Sequence, residues 1–207
     1  MIFEKISEPF DFLVIKNTFS EDQLFEIWNE IDFINEKALM EDPTMTGSAV
    51  DENFQTIKNN TGAWLNKVFE NKESSSIHKN CFENFFNEDL INCLESINPL
   101  NVIYRSVNNF NTLISYYDDN QEYGMHTDQS AYTINTYLFR EPRCFSGGEI
   151  VFQNNDFAYE QQIENNMTII FPSATWHSVN PVKINNRESF LDNGRYCISN
   201  FLFINSL

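Results

Sequence analysis

The sequence predicts an α+β fold that is mainly β: an antiparallel sandwich or barrel with N-terminal helices packed on one of its sheets. Three observations carry this. Before Pro99 apolar residues recur at three- and four-residue steps, and after it the period falls to two. The third is the 20 Phe, within an aromatic share of 15%, which supply large side chains for a sandwich interior. No shift of composition marks a boundary in the 207 residues, so one domain over 1–207 is expected. Within it, 1–98 forms a helical support and 99–207 the strand-rich core.

Residues 10–15 alternate apolar and polar side chains as an early strand does. Ser20 then stands before Gln23 at capping-box spacing, and Leu24, Ile27, Trp28 and Ile31 follow on one helical face. A helix over 21–36 is expected. The stretch 41–61 is polar and aperiodic, and reads as a long loop. Helical spacing returns over 62–69 through Trp64, Leu65, Val68 and Phe69, and over 77–97 through Phe82, Phe85, Phe86, Leu90 and Leu94. His78, at the start of that second stretch, reads as a surface or cap residue. Strands are expected over 101–106, 113–117, 132–139, 149–152, 167–171 and 196–203, separated by Asn, Asp, Gly and Pro clusters.

With 13 Lys and Arg against 30 Asp and Glu, the formal charge is −17. Such a chain is repelled by the phosphate rows of nucleic acid, so no nucleic-acid partner is expected, and the charge reads as a solvated surface. Cys81, Cys93, Cys144 and Cys197 form no metal-binding or disulfide spacing and read as buried free thiols of a reducing compartment. No leader pattern opens the chain and no apolar window spans a bilayer, so a cytoplasmic protein without a membrane partner is expected.

Against this background, His126 and Asp128 stand in Tyr-Gly-Met-His-Thr-Asp, and His177 in Trp-His-Ser-Val. Alternate residues of a strand share a face, so His126 and Asp128 can reach one ion together. His177, after the 167–171 strand, can face them across the interior. Two imidazoles and a carboxylate on one side of Fe(II) leave the opposite positions open for a bidentate acid and O2. Singly, each motif has an ordinary reading as a turn or rim residue; together they are more specific.

These residues resemble the 2-oxoglutarate and Fe(II)-dependent dioxygenases, specifically the prolyl 4-hydroxylase-like group, over about 101–205. Tyr117, Tyr123, His126 and Asp128 match the group's Tyr-x5-Tyr-x2-His-x-Asp pattern, and Phe145 to Ile150 its aromatic-x-Gly-Gly-Glu-aliphatic turn. Ile169 to Val182 match the strand entering the distal histidine and the segment after it, and Gly194-Arg195-Tyr196 the start of the closing strand. The resemblance implies a double-stranded β-helix core of jelly-roll or cupin-like type. It implies His126, Asp128 and His177 as metal ligands, and Fe(II), 2-oxoglutarate and O2 as cofactor and cosubstrates, with ascorbate supportive. It also implies an arginine for the far carboxylate of 2-oxoglutarate, which suits a planar fork that stays charged when dehydrated. Arg187 stands at the group's customary spacing after His177, but in a polar stretch. Arg195 opens a good strand and is preferred, with 184–193 read as an insertion at the site's mouth. Tyr117 and Tyr137 are expected to complete the cosubstrate pocket, Tyr123 to buttress the His126 strand, and Gly147 and Gly148 to form a tight turn.

The implied reaction couples decarboxylation of 2-oxoglutarate, releasing succinate and CO2, to hydroxylation of a C–H bond. Asp128 argues against halogenation, which needs a small residue there. The substrate implied first is a prolyl residue of a peptide or protein, or a free amino acid. The loops 41–62 and 184–193 are candidate recognition elements. Two rivals are a cupin-type metalloenzyme that does not use 2-oxoglutarate, and a non-catalytic metal-retaining binding domain.

Overall fold

The computed structural model describes residues 1–185 and 192–205. Strands β1 (Ile2–Ile6) and β2 (Phe12–Lys16) form a hairpin that leads into helix α1 (Glu21–Glu36). Ser20 and Gln23 close the expected capping box at its start. The 41–60 segment holds a single 3-10 turn at Pro43–Met45. Strand β3 (Thr61–Trp64) then runs directly into α2 (Leu65–Val68), and α3 (Ser76–Phe85) and α4 (Glu88–Ile97) follow. The remaining strands are β4 (Asn109–Tyr117), β5 (Tyr123–His126), β6 (Tyr132–Leu138), β7 (Phe145–Gly147), β8 (Ile150–Gln153) and β9 (Ala158–Gln161). After them come β10 (Met167–Pro172), β11 (His177–Val179), β12 (Val182–Ile184) and β13 (Arg195–Phe203).

Seven strands make one sheet in the order β1-β2-β10-β6-β13-β4-β3; a smaller sheet, β5-β11-β8-β9, and the pair β12-β7 accompany it. Strand alternation gives the large sheet two different faces. Ile114, Ile134, Ile198 and Leu202 point to α1, α3 and α4 and form one core with Ile27, Ile31 and Phe85. Val14, Ile169, Phe171, Tyr117, Tyr137 and Cys197 point the other way, toward Ile150 and Phe152 of the smaller sheet. Each such fully buried aliphatic or aromatic side chain stabilises the fold by about 1.5–3 kcal/mol. The helices therefore back the large sheet, as expected, and the site lies on its opposite face. All four cysteines are free and buried.

Three local expectations are corrected. Residues 61–64 form a strand, not the start of a helix, because the edge of β4 offers them unpaired backbone groups: Thr61 pairs with Tyr116 and Ala63 with Ile114. Residues 101–106 lie in a 3-10 helix, Pro99–Ser106, instead of a strand. Asn98 caps it by accepting from Leu100 N and Pro99 starts it, a helix-start signal that outweighs the alternating pattern. His78 is buried, stacked on Phe110 with ring centroids 4.3 Å apart and planes 13° from parallel.

Candidate active site

Strands β5 and β11 pair antiparallel with His126 directly opposite His177. Opposed residues share a face, and the two rings lie 4.3 Å apart. Each Nδ1 is held by a carbonyl two residues back in its own chain: His126 by Gly124 O at 2.8 Å, His177 by Thr175 O at 2.9 Å. A carbonyl only accepts, so Nδ1 carries the proton and the Nε2 lone pair is free. Both Nε2 atoms turn to Asp128, at 3.6 Å from Oδ1 for His126 and 3.5 Å from Oδ2 for His177. These gaps exceed a hydrogen bond of about 2.9 Å. They approach the separation of about 3 Å between neighbouring ligands that each sit about 2.1 Å from one ion. The three residues thus bring their ligand atoms within 4.8 Å of one another. Tyr123 stacks on His126 at 3.7 Å, the expected buttress.

Asp128 does not share the strand with His126, as the alternation argument assumed, because β5 ends at His126. A different device sets its position. Its backbone N–H donates to Ser173 O at 3.0 Å, and its Oδ2 accepts from Thr133 Oγ1 at 2.5 Å. Thr133 sits on β6, so the large sheet holds the carboxylate in place. Its role was not visible in the sequence.

Burial pushes both imidazoles down to about 4; His177 adds to the shift at His126. Burial also raises Asp128, against the Thr133 hydrogen bond. Near neutral pH both histidines are therefore in the uncharged form that binds a metal. A cation placed between the three groups would favour the ionised aspartate.

Arg195 opens β13 opposite Tyr117 and is wholly buried. Its guanidinium carbon lies 4.3 Å from the Tyr117 ring centroid and 5.1 Å from that of Tyr137. None of its three side-chain nitrogens has a hydrogen-bond partner among the described residues. An unpaired buried charge is costly, and a carboxylate bound bidentately removes that cost. The turn at Gly148, with φ +77°, passes over it: a Cβ there would lie 2.8 Å from Arg195 Nε. Gly194 meets Tyr117 as closely, since a Cβ would fall 1.9 Å from the Tyr117 carbonyl oxygen. The glycines around Arg195 thus pack backbone against the residues of this pocket, beyond forming turns. Burial raises the phenols of Tyr117 and Tyr137, which keeps them protonated as donors. Arg187, the alternative arginine, lies outside the described residues.

The structure brings His126, Asp128, His177, Tyr117 and Tyr137 to the walls of one cavity. It adds one residue that sequence reasoning missed, Lys58. This lysine is 4% exposed and donates to Thr46 Oγ1 at 2.8 Å and Gly47 O at 3.3 Å. Burial pushes its amine down to about 8, opposed by Asp128.

A sandwich that presents two histidines and a carboxylate at one end, and a buried arginine deeper in, defines a class of facial-triad metal sites on a double-stranded β-helix. Comparison with known proteins agrees. Residues 112–203 match the family model of the 2OG-Fe(II) oxygenase superfamily. The chain is similar to a PKHD-type hydroxylase of Gloeothece citriformis (strain PCC 7424), 30% identical over 78 residues. That match takes in 34% of this chain and 36% of the relative, so it spans about a third of each. In fold, the chain is similar to a Pseudomonas putida prolyl-4-hydroxylase, with a TM-score of 0.57 and 11% identity, over 95% of this chain and 94% of that one. It is also similar to a Trichoplax adhaerens prolyl hydroxylase solved with a hypoxia inducible factor peptide fragment. There the TM-score is 0.60 and the identity 15%, over 93% of this chain and 83% of that one. Over 112–203 the chain is similar in sequence to the 2OG-Fe(II) oxygenase superfamily, and its architecture is prolyl 4-hydroxylase-like. Among the described residues no helix is long and apolar enough to cross a membrane.

Proposed function

We propose that the chain, acting as one unit over 1–207, is an Fe(II)- and 2-oxoglutarate-dependent oxygenase that hydroxylates a C–H bond. One observation carries this reading: a wholly buried guanidinium at Arg195, without a hydrogen-bond partner among the described residues, packed on Tyr117 and Tyr137, which share a cavity with His126, Asp128 and His177. A cupin-type metalloenzyme that does not use 2-oxoglutarate gives that arginine nothing to hold. A domain that merely retains metal has no need of it either.

In this reading His126, Asp128 and His177 hold the ion from one side. When bound, iron and 2-oxoglutarate supply the oxidising chemistry, with O2 consumed, succinate and CO2 released, and ascorbate supporting turnover. The protein supplies position and dryness. Arg195 holds the far carboxylate, with Tyr117 and Tyr137 as phenol donors beside it. The Nδ1 contacts to Gly124 and Thr175 aim the imidazoles, and Thr133 fixes the carboxylate rotamer. Phe152 and Phe171 lie beside His177, with ring centroids 6.5 Å and 4.8 Å away, and close the side of the site away from the opening. The substrate is a prolyl residue of a peptide, or a free amino acid; the Trichoplax relative with its bound peptide fragment supports a peptide-accessible site.

The test is iron-dependent conversion of 2-oxoglutarate to succinate by the wild-type chain and by His177→Ala. The wild type is expected to turn over and the variant to fall by at least about 100-fold, the upper range for weakening a metal site through its ligand environment. Unchanged turnover in His177→Ala would remove His177 from the site.

A further inference from the structure

Lys58 lies where two cavities meet. The inner one holds the His-Asp-His group, and the outer one, about 330 Å³, opens beside it; Lys58, Leu113, Tyr123, Asp128 and Phe201 line both. The outer cavity is lined by Trp64, Phe201 and Phe203 and by the 46–49 segment. That segment is tied down: Trp64 Nε1 donates to Thr46 O at 3.2 Å, and Ala49 N donates to the Tyr123 hydroxyl at 3.0 Å. Such a volume suits a ligand of amino-acid or dipeptide size.

Among the described residues, Lys58 is the only Lys or Arg on those outer walls, and Asp128 the only carboxylate. An ammonium has three donors, and two are spent on the neutral oxygens of Thr46 and Gly47. Lys58 forms no ion pair among the described residues, and the Oδ2 of Asp128 already takes the Thr133 hydrogen bond. If the site loads as proposed above, a ferrous ion, one aspartate, a dianionic keto-acid and Arg195 are together electroneutral. Lys58 is then a surplus buried cation at the cavity junction, and burying it is costly without an anion.

We propose that Lys58 is a specificity residue whose ammonium pairs with the α-carboxylate of the substrate. The oxidised carbon then belongs to a free amino acid or to the C-terminal residue of a peptide, not to an internal residue. The aromatic walls take the apolar part of that residue while Lys58 holds its carboxylate beside the metal group. This rests on the oxygenase reading and narrows its substrate class.

The experiment measures calorimetric binding to the zinc-loaded, 2-oxoglutarate-bound chain, which cannot turn over. Proline, leucine and lysine are each offered as the free amino acid, the N-acetyl acid and the N-acetyl amide. Acids are expected to bind about 10- to 100-fold tighter than the matching amides, the range for a hydrogen bond to a charged group. The free and N-acetyl acids distinguish an amino acid from a peptide C-terminus. In Lys58→Met the preference falls below about 2-fold while zinc and 2-oxoglutarate affinities hold. Lys58→Arg, which keeps the charge should the methionine variant not fold, retains it. The proposal is overturned if no acid outbinds its amide in the wild type, or if the preference persists in a folded Lys58→Met. Failure of the wild type to bind zinc and 2-oxoglutarate at all would overturn the oxygenase reading itself.

Discussion

Replacing Arg195 with methionine should move two quantities in opposite directions. The guanidinium is wholly buried, and none of its three nitrogens has a hydrogen-bond partner among the described residues. In the ligand-free protein the charge is therefore a burden, and a methionine of similar reach should raise stability by about 1–3 kcal/mol. For 2-oxoglutarate the sign reverses, because its far carboxylate would then be buried unpaired. That loss is about 3–5 kcal/mol, or two to three and a half orders of magnitude in the dissociation constant. Both are readable in one assay, thermal melting of the zinc-loaded protein with and without 2-oxoglutarate. At about 100 times its dissociation constant the ligand adds roughly 2.7 kcal/mol to the wild type. That corresponds to a rise in Tm of about 5–11 °C for a chain of this size. Arg195→Met at the same concentration should rise by less than about 2 °C, from a higher starting point. Arg195→Lys, which keeps the charge without the fork, should fall between. A methionine variant that melts below the ligand-free wild type yet binds 2-oxoglutarate normally would refute the reasoning and make Arg195 a structural residue.

Other consequences follow from the same geometry. Gly148→Ala forces a Cβ against Arg195 Nε at 2.8 Å and a side chain onto a φ of +77°, so it should weaken 2-oxoglutarate binding by about 10-fold or more in the same titration. Thr133→Val removes the side-chain donor to Asp128 while keeping the shape, and should lower Fe(II) or Co(II) affinity by about 10- to 100-fold in a metal titration. Acid should destabilise the metal-free protein. His78, His126 and His177 are each pushed down to about 4 by burial, against about 6.5 in the unfolded chain. Between those values the unfolded state binds more protons, so their contribution is complete above about pH 6.5 and lost as pH falls toward 4. His78→Phe, which preserves the stack on Phe110, should flatten that slope in denaturant titrations from pH 7 to 4.5; an identical slope would show that His78 does not titrate there.

The sequence made the site legible where residue chemistry is diagnostic. Histidine is scarce here, with 3 in the chain; two of them fall in the strand-rich half, and one of those stands two residues before an aspartate. Arg195 was legible because it opens a run of strand-forming residues, and that run does form β13. The geometry behind these residues was not legible. Asp128 lies beyond the end of β5 and is placed by Ser173, 45 residues away in the chain, and by Thr133 across the loop into β6, contacts that no local pattern announces. The strand at 61–64 exists because β4 has a free edge, which no local pattern announces. The 3-10 helix over 99–106 has its signal in Asn98 and Pro99, against the alternation of residues 101–106 that reads as a strand.

Lys58 shows why the remaining part of the site escaped. It sits in an aperiodic polar stretch, where a lysine is ordinarily a solvated side chain. Only the fold brings that stretch against β5, where Lys58 pairs with Tyr123, and buries the ammonium. Among the described residues, Lys58 and Arg195 are the only buried Lys or Arg, in a chain of net charge −17. The acidic excess lies mostly outside, where water and salt screen it over about 8 Å. Each of the two buried cations costs the empty fold free energy; Lys58 lines the cavity of the His-Asp-His group, and Arg195 packs on Tyr117, which lines it too. A charge distribution that is negative without and positive within favours ligands that bring carboxylates to both ends of the site. The keto-acid meets that requirement at Arg195; the substrate would have to meet it at Lys58.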